Sequence, residues 1–119
     1  MGYDLIVENA VIRDIKVIHC TGRVDSGNYH LLNDAIEAVI KSGHYKIVVE
    51  LSGVEYISSA GWGTFVGNLN LVRTRGGTIE LAAMRREVNN VYKLMEFDEV
   101  LTAHDNLDEA VKKLSVQNK

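Results

Sequence analysis

Residues 56–64, Tyr-Ile-Ser-Ser-Ala-Gly-Trp-Gly-Thr, place two adjacent serines where an apolar, strand-like run gives way to a helix-like pattern. A helix begins with unpaired backbone N–H groups and a partial positive charge, so its first turn favours an anion or a phosphorylated side chain. Spacing alone favours a capping role for Ser58 or Ser59, which is worth about 0.5–2 kcal/mol. The functional alternative is a hydroxyl that accepts a phosphate and so gains about −1.5 to −2 charges. Neighbouring serines can serve both roles.

Residue patterns that would indicate catalysis are missing from the sequence. The four histidines occur in unrelated segments without metal-ligand spacing: His19, His30, His44 and His104. The Ser-Ala-Gly run does not form a nucleophile elbow, because Ile57 stands where the leading glycine is required. Glycine-rich nucleotide-binding motifs are also missing, and no aspartate follows the central strand as in a phosphoacceptor receiver domain. We therefore expect a protein that is not an enzyme and that uses neither a cofactor nor a metal.

Composition favours a cytoplasmic protein with a single domain over residues 1–119. The 46% hydrophobic and 24% charged residues are typical of a globular protein, and a net charge of −3 argues against nucleic-acid binding. Cys20, the only cysteine, lies in an apolar strand and is expected to be buried and inert. The N-terminus lacks the pattern of a signal peptide, and the uncharged run 56–72 is too polar to span a membrane. We expect no membrane insertion.

Hydrophobic periodicity predicts an α/β fold in the order ββαβαβαβα, with a mostly parallel sheet covered by about four helices. The predicted strands are 5–7, 15–20, 47–51, 78–83 and 100–102, the last at an edge, and residues 21–27 are predicted as a loop. The predicted helices cover 28–42, a segment through residue 72 that is ended by Gly76 and Gly77, residues 87–96, and a closing segment from about residue 106. The apolar face of the third helix is predicted to comprise Val88, Val91, Tyr92 and Met95.

Two features of the second helix carry separate predictions. Trp62 begins its apolar stripe, so we expect a buried indole, and an exposed anchor for a partner is the alternative. Gly63 and Gly67 lie one turn apart on another face, where they are predicted to allow close approach of a neighbouring element.

The segment 48–63 resembles the central motif of STAS domains, specifically that of bacterial anti-sigma factor antagonists. Other segments of the chain also resemble the family, and they occur in the order in which the family has them. Gly22-Arg23-Val24-Asp25 is similar to a Gly-x-Leu-Asp segment of the family, and residues 76–81 and 101–110 match its later helix–strand junction and its closing strand and helix.

The resemblance implies a protein-binding module that is switched by phosphorylation. In that family the unphosphorylated antagonist binds an anti-sigma factor that is itself a serine kinase, which releases the antagonist by phosphorylating it, and a serine phosphatase resets the cycle. Aligned on Ala60 and Gly61, the phosphoacceptor corresponds to Ser59. The partner-binding residues implied are Asp25, Ser58, Ser59 and Trp62.

The chain departs from the family pattern at two positions. Ser58 replaces the usual aspartate before the phosphoacceptor, and Trp62 replaces the usual leucine after the glycine. The missing carboxylate motivates a second hypothesis, a STAS scaffold of a signalling assembly or transporter that works without phosphorylation. A small-molecule binding protein or enzyme is a third, less favoured class.

Overall fold

The computed structural model describes residues 4–117 and confirms the α/β fold and the predicted element order. Its strands are β1 Ile6–Ile12, β2 Ile15–Val24, β3 Lys46–Ile57, β4 Thr78–Ala82 and β5 Ala103–His104. Its helices are α1 Tyr29–Lys41, α2 Ser59–Arg73, α3 Arg86–Leu94 and α4 Leu107–Gln117, with a 3-10 turn at Phe97–Glu99 between α3 and β5.

The five strands form one mixed sheet in the spatial order β1-β2-β3-β4-β5. β1 pairs antiparallel with β2 through a tight turn at Arg13 (φ 58°), whereas β2 to β5 run parallel. The carboxyl ends of parallel strands lie at the same edge of a sheet. The loops that follow Val24 and Ile57 are therefore neighbours.

Helices cover both faces of the sheet. One face packs against α1, α2 and α3 in a core that includes Leu32, Phe65 and Val88. The other packs against α4 through a smaller cluster that includes Val48 and Leu114. Because β3 is covered on both sides, its apolar run is continuous instead of alternating, as predicted.

Three strands are longer than predicted. β1 extends to Ile12 instead of ending at residue 7. β2 continues to Val24 through a segment predicted as a loop, and β3 continues from Leu51 to Ile57. Val54 and Ile57 are buried whereas Ser52 and Glu55 are exposed, so this half of β3 has polar residues on its outer side. The pairing is irregular between His19 and Arg23, which obscured the strand pattern in the sequence.

The region after α3 also differs from prediction. Glu96 adopts a left-handed conformation (φ 60°), so α3 ends at Leu94 instead of continuing to residue 96. The edge strand is Ala103–His104 and not 100–102, because the side chain of Leu101 is drawn into the core. Met95, predicted on the apolar face of the helix, consequently lies beyond it and is 59% exposed.

The prediction for Gly63 and Gly67 was wrong. A Cβ added at either position would meet no atom of residues 4–117 within 4 Å, so these glycines face open space and not a neighbouring element. Gly77 is one of the glycines that do permit close packing, because a Cβ there would lie 2.0 Å from the carbonyl oxygen of Tyr45.

We therefore expect Gly67→Ala to raise the free energy of unfolding by about 0.5–1 kcal/mol, because alanine orders a helix interior at a lower entropic cost than glycine. Urea titration followed by far-UV circular dichroism measures the change. Gly77→Ala provides the contrast and should destabilise the protein, since its methyl group would overlap the backbone of Tyr45. Destabilisation by Gly67→Ala would contradict the open environment described for this face.

Candidate functional site

The two serines at the start of α2 have different roles. Ser58 is the N-cap: its backbone is extended, and its Oγ accepts a hydrogen bond of 3.4 Å from the backbone N–H of Gly61. Ser59 is the first residue of the helix, its side chain is exposed, and it makes no side-chain hydrogen bond within residues 4–117. The capping function is thus assigned to Ser58, and Ser59 presents its hydroxyl to solvent.

The start of α2 is fixed to the end of β2. The backbone N–H of Ser58 donates to the carbonyl oxygen of Val24 over 2.8 Å. Gly61 completes the junction, because a Cβ at that position would lie only 2.7 Å from Ile57 and 2.8 Å from Val24 side-chain atoms. The serine pair is consequently held on the sheet and does not lie on a free loop.

Asp25 follows Val24 and organises the loop before α1. Its Oδ1 accepts hydrogen bonds from the backbone N–H groups of Gly27 (2.9 Å) and Asn28 (3.1 Å). In return, the Asn28 side chain accepts from the backbone N–H of Asp25 over 2.9 Å. The structure therefore places Asp25 beside the Ser58 junction, in a half-buried position where its carboxylate supports a loop.

Trp62 is buried, with only 3% of its surface exposed, so the structure does not present it as an exposed anchor. Its ring stacks on Phe97 with centroids 4.8 Å apart and on Tyr92 at 6.2 Å. It also meets Phe65 edge to face at 5.9 Å. Aromatic pairs of this kind stabilise a core beyond the effect of area burial. Trp62 thus joins α2 to α3 and to the turn that follows α3.

Beside Ser59 lies an open, mainly apolar groove of about 530 Å³, which we call the α2–α3 groove. It is lined by Tyr56, Ile57, Ser58, Ser59, Trp62, Gly63, Val66, Val91, Met95 and Phe97. Several of these side chains are unusually exposed for apolar residues: Tyr56 is 43% exposed, Val91 39% and Met95 59%. Three of the predicted site residues, Ser58, Ser59 and Trp62, therefore meet at one surface feature.

A smaller hollow of about 140 Å³ adjoins the groove and shares four lining residues with it, Tyr56, Ile57, Trp62 and Val91. It also contains two carboxylates, those of Glu55 and Glu87. Arg23 lies near the end of β2, and its guanidinium is 4.7 Å from the centroid of the Tyr56 ring. Sequence reasoning missed Val91 and Met95 as surface residues, because their helical spacing with Val88 and Tyr92 indicated core positions.

Tyr92 anchors α3 beneath the groove. Its hydroxyl donates a hydrogen bond to the carbonyl oxygen of Leu101. Burial, with a smaller contribution from the Asp98 carboxylate, raises the pKa of Tyr92 above its ordinary value of 10.0. The phenol is therefore protonated at neutral pH and keeps its role as a donor.

The four histidines occupy strand and surface positions. Nδ1 of His19 lies 3.1 Å from Glu50, and Nε2 of His104 lies 2.7 Å from Glu80, each across neighbouring strands. Within residues 4–117, no three His, Cys, Asp or Glu side chains are grouped so that they could hold a metal ion. None of the helices described there is long and apolar enough to cross a membrane.

Cys20 is buried, and burial together with the Glu50 carboxylate raises the pKa of its thiol to about 12. At pH 8 only about one thiol in ten thousand would be ionised, and the thiolate is the reactive form. We expect the folded protein to resist iodoacetamide at pH 8 and to react fully in 8 M urea, as followed by intact mass. Rapid alkylation of the folded protein, at the rate of a free thiol, would contradict the buried site.

The fold and the site together define an α/β module with a solvent-facing serine at a strand–helix junction, next to an apolar groove. A family profile described as the STAS domain matches residues 7–110, which is most of the chain. The chain belongs to the STAS domain family.

Individual relatives agree with this assignment. A Thermotoga maritima protein provisionally named an anti-sigma factor antagonist is 25% identical over 105 residues, which cover 87% of this chain and 93% of the relative. The crystal structure of a Thermotoga maritima protein with the same provisional name superimposes with a TM-score of 0.84 at 24% identity, covering 90% of this chain and 92% of that one.

Two further structures share the fold at lower identity. SpoIIAA, a cell fate determinant of Bacillus solved in its phosphorylated form, has a TM-score of 0.69 at 18% identity and covers 93% of this chain and 99% of its own. A sulfate transporter family protein of Wolinella succinogenes has a TM-score of 0.75 at 16% identity and covers 90% of this chain and 89% of its own. At these identities the likeness concerns the fold alone.

Proposed function

We propose that this protein is an anti-sigma factor antagonist: a cytoplasmic, non-enzymatic binding module that sequesters an anti-sigma factor serine kinase and is released when that kinase phosphorylates Ser59. The observation that carries the proposal is the exposed hydroxyl of Ser59 at the first position of α2, next to a cap supplied by Ser58. The names of the relatives and the phosphorylated form of SpoIIAA support it.

Phosphate on Ser59 is compatible with the fold. The positive end of the α2 dipole stabilises added negative charge in the first turn. The capping bond belongs to Ser58, so it need not break when Ser59 is modified. Modification therefore changes the surface and leaves the helix intact.

The same phosphate would oppose docking. Ser59 lines the α2–α3 groove, whose other walls are mainly apolar. A partner that covers this groove would have to remove water from a dianion without supplying full compensation, which is costly. Release then follows from the modification, and a serine phosphatase that removes the phosphate restores binding.

Incubation with the cognate anti-sigma factor kinase and ATP, followed by peptide mass spectrometry, tests the proposal. Phosphate is expected on Ser59 in the wild type and in Ser58→Ala, and no phosphate is expected in Ser59→Ala. The Ser58→Ala control is informative because it removes the neighbouring hydroxyl at the cost of a weakened cap. Phosphate on Ser58 alone, or on neither serine, would refute the assignment.

One observation favours a second candidate function, a STAS scaffold that binds a partner of a signalling assembly or transporter without phosphorylation. Ser58 replaces the aspartate that usually precedes the phosphoacceptor, so the junction lacks a carboxylate at that position. A stable partner complex with the same affinity for the wild type and Ser59→Asp would favour the scaffold.

A further inference from the structure

We propose that the α2–α3 groove receives a large apolar side chain from the protein that docks at Ser59, and that cationic residues beside that side chain reach Glu55 and Glu87. This inference rests on the proposed function for the choice of a protein as occupant. It adds the chemistry of the segment that is recognised, which the serine alone does not specify.

The shape and lining of the groove indicate an apolar occupant. Val91 and Met95 expose 39% and 59% of their surfaces on one wall, and Tyr56 exposes 43% nearby. Contiguous apolar surface of this kind marks interaction sites on otherwise polar proteins.

The base of the groove is already ordered. Trp62 stacks on Phe97 with the centroids 4.8 Å apart, which fixes the base between α2 and the turn after α3. A rigid receptor loses little conformational entropy on binding. An aromatic or long aliphatic side chain could therefore bind without prior rearrangement.

Gly63 keeps the groove open on the α2 side. It lines the groove, and a Cβ built on it meets no atom of the described chain within 4 Å. A side chain at this position would project into space that the occupant needs. Gly67 is equally unobstructed but is not among the residues that line the groove, so it provides a matched control.

The charge next to the groove selects among apolar partners. Glu55 and Glu87 line the adjoining hollow, and the groove and hollow have no Lys or Arg among their lining residues from the described part of the chain. Arg23 stacks on Tyr56 and is not a lining residue. Electrostatic complementarity therefore favours a segment with Lys or Arg next to its apolar side chain.

A pair of synthetic peptides tests this chemistry without kinase or phosphate. Each has capped ends and a central Leu-Phe pair, flanked by lysines in one peptide and by glutamates in its twin. The full-length ¹⁵N-labelled protein is titrated with each and followed by NMR. The single tryptophan gives one indole N–H signal, which reports directly on the base of the groove.

We expect the lysine peptide to bind at least about tenfold more tightly than its twin, with shifts at Trp62, Val91 and Met95. Gly63→Gln should weaken that binding about tenfold or more, whereas Gly67→Gln should leave it unchanged. Glu87→Lys should reduce the preference for the lysine peptide. Asp108→Lys, at the same second position of α4, should not. Thermal unfolding of each variant checks that the fold is retained.

Equal binding of the two peptides, or shifts confined to another face, would overturn the proposal. Sedimentation of the protein alone is the second arm: self-association that Gly63→Gln abolishes would make a second copy the occupant and would also overturn it. Either result would overturn the groove proposal without affecting the mapping of phosphate on Ser59, which tests the proposed function separately. Conversely, preferential binding of the lysine peptide without phosphorylation of Ser59 would refute the phosphorylation switch and support the groove as a binding site.

Discussion

Ser59→Asp is expected to weaken binding to the proposed partner, an anti-sigma factor kinase, by about 30- to 100-fold, because it fixes a negative charge at the proposed docking surface. Ser59→Ala should bind as tightly as the unphosphorylated protein and should not be released by ATP. Isothermal titration calorimetry with the purified kinase measures both effects. The added carboxylate lies in the first turn of α2, where the helix dipole favours it, so neither substitution should lower stability.

Ser52→Asp is the control, because it adds the same charge at an exposed serine of β3 outside the groove lining. If both aspartate variants lost affinity equally, the effect would come from net charge and not from a switch at Ser59. Undiminished binding by Ser59→Asp would contradict the proposed release mechanism.

Trp62→Ala is expected to cost about 3–5 kcal/mol of unfolding free energy, the usual range for removing a large buried aromatic. The loss is large because the indole stacks on Phe97 and Tyr92 and meets Phe65 at its edge. Trp62→Leu should cost less, since leucine refills part of the volume. Urea unfolding followed by far-UV circular dichroism suits both variants, because each lacks the only tryptophan fluorophore.

A cost below about 1 kcal/mol for Trp62→Ala would show that the indole is not an essential part of the core, since typical surface substitutions fall within about 0.5 kcal/mol. The partner affinity of Trp62→Ala should also fall, because the indole forms the base of the groove. Trp62→Leu introduces the residue that is usual in the family at this position. If this variant regains more stability than partner affinity relative to Trp62→Ala, the role of the indole in the core is separated from its role in binding.

The features that sequence could predict are those that depend on local patterns. The continuous apolar run of β3 predicts a buried strand, and Gly76 and Gly77 predict the end of α2. The serine pair was correctly placed at a strand–helix junction because caps have local residue preferences. Which serine caps the helix depends on where α2 begins to within one residue, and only the structure places Ser58 as cap and Ser59 inside the helix.

The groove depends on tertiary packing that local patterns do not encode. Val91 and Met95 show helical spacing with buried residues, but both are exposed. Met95 lies beyond α3, because the left-handed turn at Glu96 ends that helix early, whereas Val91 lies within α3 on the wall of the open groove. Gly63 and Gly67 looked like contact positions because small residues often mark close packing. They instead face open space, because no atom of the described residues lies within 4 Å of a Cβ at either position, and spacing along the helix does not reveal this.

The separation of roles between Ser58 and Ser59 has a consequence for timing. Because the capping hydrogen bond belongs to Ser58, a chemical change on Ser59 requires no helix to unwind or re-form. The delay between signal and response would then be set by phosphoryl transfer, by dephosphorylation and by diffusion to the partner. A circuit built on this protein could be retuned through the amounts of kinase and phosphatase alone, with no change to the folding kinetics of the protein.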